Sequence, residues 1–202
     1  MPKQASQSLA TILASIGDHW RSRRAILLWS ALVLLVVFGG CLIYETVEYR
    51  VTLNPDGKGG TITITYSNIA SSSDEPAKQT EDFQELMDKW KGDKYLLERM
   101  NEGVYIKQRD LKLAKGILRW KEVGIFSDLQ KMKDGLSYED STHITMGKDE
   151  VVLSTNGTLL INKDSTVVAW PPHTREFQIK IQNRDFKPTS NFAQKFIDLR
   201  KK

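Results

Sequence analysis

Residues 46–66 read TVEYRVTLNPDGKGGTITITY. Val47, Tyr49, Val51 and Leu53 alternate with Thr46, Glu48, Arg50 and Thr52, the period of a half-buried strand. Asn54 to Gly60 is dense in turn residues. Ile62, Ile64 and Tyr66 then alternate with Thr61, Thr63 and Thr65. Two such runs around a glycine-bearing loop predict an antiparallel hairpin. Asn54 and Asp56 offer oxygen ligands, but the loop lacks the regular acidic positions and terminal Glu of a calcium loop, so it reads as a turn.

Upstream, the pattern changes class. Ala25 to Tyr44, AILLWSALVLLVVFGGCLIY, holds no charged residue. Twenty residues at about 1.5 Å each span roughly 30 Å, the hydrocarbon thickness of a bilayer. Only Ser30 interrupts the apolar surface, and Trp29 and Tyr44 suit the headgroup level near its two ends. The head, residues 1–24, carries Lys3, Arg21, Arg23 and Arg24 against Asp18. That imbalance places the N-terminus in the cytoplasm and residues 45–202 outside it. Leu9, Ile12, Leu13 and Ile16 recur at helical spacing within the head, whose arginines set orientation.

The end of the apolar run has two readings. As an uncleaved anchor it is a single transmembrane helix. As a lipoprotein signal it ends in Phe38-Gly39-Gly40-Cys41, where small residues precede a cysteine that cleavage would expose for lipidation. Cys41 is the single cysteine of the chain, so an intramolecular disulfide is excluded.

The formal charge of +4 does not point to a polyanionic partner. Four of the 29 basic residues and one of the 25 acidic residues lie in the head, which leaves the remainder at about +1. Nucleic acid is disfavoured by that balance and by the topology.

Beyond the hairpin, Ser71 to Lys78 reads as a polar linker and Thr80 as a helix cap. Phe83, Leu86, Met87 and Trp90 follow at i, i+3, i+4 and i+7, and the pattern resumes at Tyr95, Leu96 and Met100 after a break near Gly92. The Phe83, Met87 and Trp90 stripe is the candidate partner or ligand face; the alternative is core packed on a sheet. Strands are expected over 103–113 and 116–123 around Lys115-Gly116, and a short helix capped by Ser127 over 125–132. Residues 133–142 read as a polar loop. Val151–Leu153 and Thr158–Ile161 flank Asn156-Gly157, a strong hairpin signal. Further strands are expected at Thr166–Trp170, stopped by Pro171-Pro172, and at Phe177–Gln182. Ser190–Leu199 closes the chain as a helix. The order is α+β: a transmembrane helix, then an antiparallel sheet with helices on one face.

Catalytic chemistry has little to stand on. His19 is separated by the membrane from the outer part. Neither His143 nor His173 has a second His, Cys or acid at metal-ligand spacing. No nucleophile elbow, zinc-protease helix motif or phosphate-cradling glycine loop occurs. The carboxylates at Asp56, Asp128, Asp140 and Glu176 are scattered. Neither a cofactor nor a metal is expected.

The order of Gly40-Cys41, LNPDGKGGTITITY (53–66), FSDL (126–129) and VVAWPP (167–172) resembles bacterial envelope lipoproteins of the mycobacterial LppM-like kind. Gly59, Gly60 and Phe38 depart from the usual forms. The resemblance implies an anchored, non-enzymatic α+β domain in contact with lipid or envelope components, and no catalytic residues. Two functions follow as expectations. One is a single-anchor envelope protein whose outer domain binds a partner at the membrane surface. The other is a carrier or sensor holding a lipid-like ligand between the sheet and the helix at 80–100.

Overall fold

The computed structural model describes residues 42–132, 137–138, 142–161, 166–171 and 173–201. They belong to one unit, Gly40–Lys202. It is a mostly β-sheet domain with a few helices. The head, residues 25–41 of the apolar run and Cys41 lie outside the described residues.

The opening hairpin forms as its period predicts. β1 (Leu42–Leu53) and β2 (Gly60–Ser71) are antiparallel. Asn54 N–H donates to Gly59 O at 2.8 Å, Gly57 N–H to Asn54 O at 2.9 Å, and Lys58 N–H to the Asp56 carboxylate at 3.0 Å. The Asn54/Asp56 loop is thus a turn that uses its own side chain. β1 begins earlier than the sequence suggests. Leu42, Ile43 and Tyr44, expected at the end of the membrane stretch, pair with Ser71, Ala70 and Ile69. Leu42 is buried there. The boundary drawn at 44/45 therefore moves back to 42, because β2 is long enough to recruit these residues. No described helix is long and apolar enough to cross a membrane.

Two helices follow, α1 (Pro76–Lys91) and α2 (Asp93–Asn101), with Gly92 between them. The break falls where expected. The start does not: Pro76 occupies the first turn, where its missing N–H costs nothing. Thr80 lies inside the helix and donates to Pro76 O at 2.9 Å instead of capping it. β3 (Val104–Ala114) and β4 (Ile117–Phe126) are joined by Lys115 and Gly116, both at positive φ, the pair a type I′ turn requires. Ile125 and Phe126, assigned from sequence to a helix, end β4; only Leu129–Lys131 forms a 3₁₀ turn.

The C-terminal half holds β5 (Ser137–Tyr138), β6 (Thr142–Met146), β7 (Glu150–Thr155), β8 (Thr158–Ile161), β9 (Thr166–Trp170), β10 (Glu176–Asn183), β11 (Ser190–Asn191) and α3 (Phe192–Arg200). β6 sits where a loop was expected to end. Its Thr142, Ile144 and Met146 are buried in alternation. Asn191 caps α3 by accepting from Ala193 N–H at 2.8 Å.

The strands make two antiparallel sheets instead of one. The larger runs β3-β4-β2-β1-β10-β7, with β11 on β2 beyond the end of β4; the smaller runs β5-β6-β9-β8. Asn156-Gly157 is the reason. β7 pairs with β10 and β8 with β9, so the chain crosses between sheets at this dipeptide and makes no hairpin. Neither residue has positive φ, which a type I′ turn would need. Asn156 Oδ1 accepts from Trp170 Nε1 at 2.7 Å and Gln178 N at 2.8 Å, and its amide donates to Glu176 O at 2.9 Å. A Cβ on Gly157 would lie 2.8 Å from Trp170 and Val168 side chains. The dipeptide is selected as a corner that Trp170 can approach.

The core lies on one face of the larger sheet. Val51 stands between Ile62 and Phe177, Tyr49 between Ile64 and Ile179, and Val47 between Tyr66 and Ile181. Helices α1, α2 and α3 rest against β2, β3 and β4. Trp170 of the smaller sheet meets Phe177 edge to face at 5.5 Å.

Candidate functional site

The stripe singled out from sequence faces α3. Phe83 meets Phe192 edge to face at 5.3 Å, and Trp90 meets Phe196 at 5.8 Å. Leu86 and Met87 are buried, as are Phe192 and Phe196. Phe83 and Trp90 thus meet the chain's own last helix, and Met87 is buried between them on the same helix. Lys91 lies over the half-buried Trp90 ring at 5.1 Å. Cys41 lies outside the described residues. His143 is half-buried and His173 exposed, on β6 and after β9 respectively. Among the described residues no group of three metal-ligating side chains occurs.

Sequence reasoning missed the polar cluster under α2. Arg99 is 3 % exposed and Glu122 1 %, close to the limit for charged groups. Their side chains approach to 3.3 Å. Tyr95 donates its hydroxyl to Glu122 at 2.6 Å, and Arg99 reaches Glu102 at 2.5 Å. The Tyr95 ring stands edge to face on Trp120 at 5.2 Å. Glu122 is at this spot because β4 alternates: Leu118, Trp120 and Glu122 share the inward register, and Glu122 faces Ile64 on one side and Arg109 on the other. A bulge between Ile106 and Gln108 turns Arg109 to that register. Arg109 then donates to Lys89 O at 2.6 Å and Gly92 O at 2.9 Å, placing a cation at the negative end of α1. A signal did exist: glutamate at an inward position of KEVGIF (121–126) breaks the apolar alternation.

Tyrosines surround the cluster. Burial pushes the Tyr66 hydroxyl well above its ordinary pKa of 10.0, and Tyr49, Glu122, Tyr95 and Tyr44 add to the shift. Tyr44, 5.0 Å from the Tyr66 ring, is pushed up to about 12 by burial and by Glu150. Both phenols stay protonated across the physiological range. The arrangement therefore gives a fixed acceptor, Glu122, held by neutral and cationic donors. It is built to brace α2 against β4. Nothing in it presents a nucleophile to solvent.

A second buried node ties the start of α1 down. Ser71 Oγ donates to Asp82 at 2.5 Å, Ser73 N–H donates to Ser71 Oγ at 3.0 Å, and Thr189 N–H donates to Ser71 O at 3.0 Å. The polar linker read from SSSDEPAK is thus a knot joining β2, α1 and the segment before α3.

Among the described residues two sheet edges expose apolar side chains: β3, with Tyr105 and Leu113 beside Ile125 of β4, and β8. Leu159, Leu160 and Ile161 of β8 are all exposed, Ile161 at 71 %. Leu153 on β7 is exposed as well. By contrast, the open face of the larger sheet carries Arg50, Thr61 and Lys121 in exposed positions.

No family model, curated protein or solved structure matches this chain.

Proposed function

We propose that the chain is a single-anchor membrane protein whose domain from Leu42 onward works outside the cytoplasm by binding a partner at the membrane surface. One observation carries this reading. The uncharged run that starts at Ala25 continues to residue 41, and β1 begins at Leu42 with no linker between them. Seventeen residues at about 1.5 Å reach roughly 25 Å, at the short end of a span. Arg24 can extend that reach by snorkelling. Cleavage before Cys41 gives the same result by another route, since a lipidated cysteine would then stand one residue ahead of β1. The resemblance to LppM-like lipoproteins supports that alternative. A binding role is favoured over catalysis because the two most buried carboxylates among the described residues are committed, Glu122 to Tyr95 and Arg99 and Asp82 to Ser71. It is favoured over ligand carriage because Phe83 and Trp90 are engaged by Phe192 and Phe196 of the same chain.

The experiment is alkaline extraction of membranes followed by intact mass. Retention in the membrane at close to 23.0 kDa supports the uncleaved anchor. Retention with loss of the first 40 residues and added acyl mass supports the lipoprotein. Complete release of the full-length chain would overturn both.

A further inference from the structure

β8 is the edge strand of the smaller sheet, and all four of its residues are exposed. Period two sends Leu159 and Leu160 to opposite faces, and both are bare. A strand added to this edge would pair its backbone and leave those side chains in water on both faces. A groove on a partner would cover one face. An interfacial lipid layer covers both at once. Edges are ordinarily guarded by Lys, Pro or inward charge, yet Val151 to Ile161 holds no charge and no proline.

The position of this edge follows from the registers. Asn183 pairs with Glu150, and Gln182 with both Val151 and Thr46, so the start of β7 is level with Glu45 and Thr46 of β1, about 10–13 Å along the strand from Leu42. Glu150 also acts electrostatically on Tyr44. Met146 ends β6 one turn before Glu150, with Gly147 N–H donating to the Glu150 carboxylate at 2.7 Å. Thr166 pairs with both Met146 and Ile161. Two strand spacings, about 10 Å, therefore separate Ile161 from Met146. The apolar tip therefore lies toward the Leu42 half of β1. Charges there cancel: exposed Lys148, Arg184 and Lys187 stand with exposed Asp149 and Asp185 and half-buried Glu150.

We propose that Leu159, Leu160 and Ile161 form a second contact with the bilayer, seating this corner of the domain in the lipid interface beside its point of attachment. The proposal rests on the membrane-anchored reading. The contact is apolar, so uncharged lipid suffices.

The test uses the full chain with Cys41→Ser and one new cysteine, carrying a small fluorophore, reconstituted into phosphatidylcholine vesicles with brominated acyl chains. Leu160→Cys and Leu159→Cys probe the two faces of β8; Lys121→Cys probes the open face of the larger sheet. The expected result is several-fold stronger quenching by brominated lipid at 159 and 160 than at 121, with both shielded from aqueous iodide. Quenching at 160 equal to that at 121 overturns the contact, as does lipid quenching on one face of β8 alone. Shielding from both quenchers overturns it too, because a second copy of the chain then covers the edge. Flotation separates the two failures. A chain that floats with an iodide-quenched β8 loses this contact and keeps its anchor; a chain that does not float loses both.

Discussion

The two strand edges at opposite ends of the larger sheet are finished differently. β3 carries Lys107, Arg109, Asp110 and Lys112, is bulged at Ile106/Gln108, and uses Arg109 to clamp the end of α1. β7 continues into β8 as an uncharged run, crosses to the smaller sheet at Asn156-Gly157, and ends in three exposed aliphatic residues. Water-facing edges are defended by charge and irregular geometry. β3 meets that requirement over Lys107–Lys112, with Tyr105 and Leu113 exposed on either side, and β8 does not meet it anywhere. The difference teaches that one edge is guarded by charge, a bulge and a clamped helix end, and the other leaves its aliphatic side chains bare. Four substitutions or conditions break or sharpen the contrast.

The largest effect belongs to the defended side. Glu122→Ala takes from Arg99 its fully buried counter-charge and leaves it only the partly exposed Glu102. Breaking a buried pair from one side costs about 3–5 kcal/mol, read as a shift in the urea midpoint of the chain in detergent. Arg99→Met with Glu122→Leu removes both charges and is expected to regain much of that loss. A Glu122→Ala midpoint near wild type would show that the cluster does not brace α2.

The next effect lies in the sheet's middle, where Tyr44 and Tyr66 are protected from ionisation. A phenol whose folded pKa is raised gives stability that is whole below its unfolded value and is lost as pH rises through the folded value. Stability should therefore stay level up to about pH 10 and fall above it. Tyr44 alone, held at about 12, should account for roughly 1.4 kcal/mol per pH unit across that window. Tyr44→Phe should reduce the slope by that share and leave the share of Tyr66; an unchanged slope would remove Tyr44 as a source.

The corner between the sheets ranks third. Asn156→Ala takes the acceptor from Trp170 Nε1 and Gln178 N together. The Trp170 bond is part-buried and the Gln178 bond exposed, so water replaces part of the loss and the cost is about 1 kcal/mol. Near-ultraviolet circular dichroism should lose Trp170 intensity while the far-ultraviolet spectrum holds. Gly157→Ala should cost a similar amount by overpacking, since its methyl meets Trp170 and Val168.

How far the sequence could be read follows the same division. Period two was legible wherever one face is buried: β9 and β10 fall close to their expected limits, and so do the turn ends of β1 and β2, whose far ends run on to Leu42 and Ser71. The helix break at Gly92 and the Lys115-Gly116 turn were legible because local backbone chemistry decides them. What escaped depended on distant partners. Leu42–Tyr44 read as membrane because they are apolar, and only the length of β2 makes them a strand. Asn156-Gly157 read as a hairpin because local propensity cannot see Trp170 arriving from β9. Of the candidate site, Phe83, Met87 and Trp90 were found as a face, but not that α3 would fill it. Arg99 and Glu122 lie 23 positions apart in sequence, and a charge pair at that separation has no local signature.

The smallest effect on stability is the most telling about the bare edge. Leu160→Lys places on β8 the kind of charge β3 already carries. Leu160 is 49 % exposed, so its loss of packing is slight and folding stability should move by no more than about 0.5 kcal/mol. An edge lysine should also suppress strand pairing between copies once detergent is diluted, which sedimentation reads directly. If stability fell by several times that amount, Leu160 would be core in the working molecule, covered by the chain itself. If folding were unchanged, the exposed leucine would contribute nothing to holding the domain together, leaving its surroundings as the reason the edge stays bare while β3 is defended.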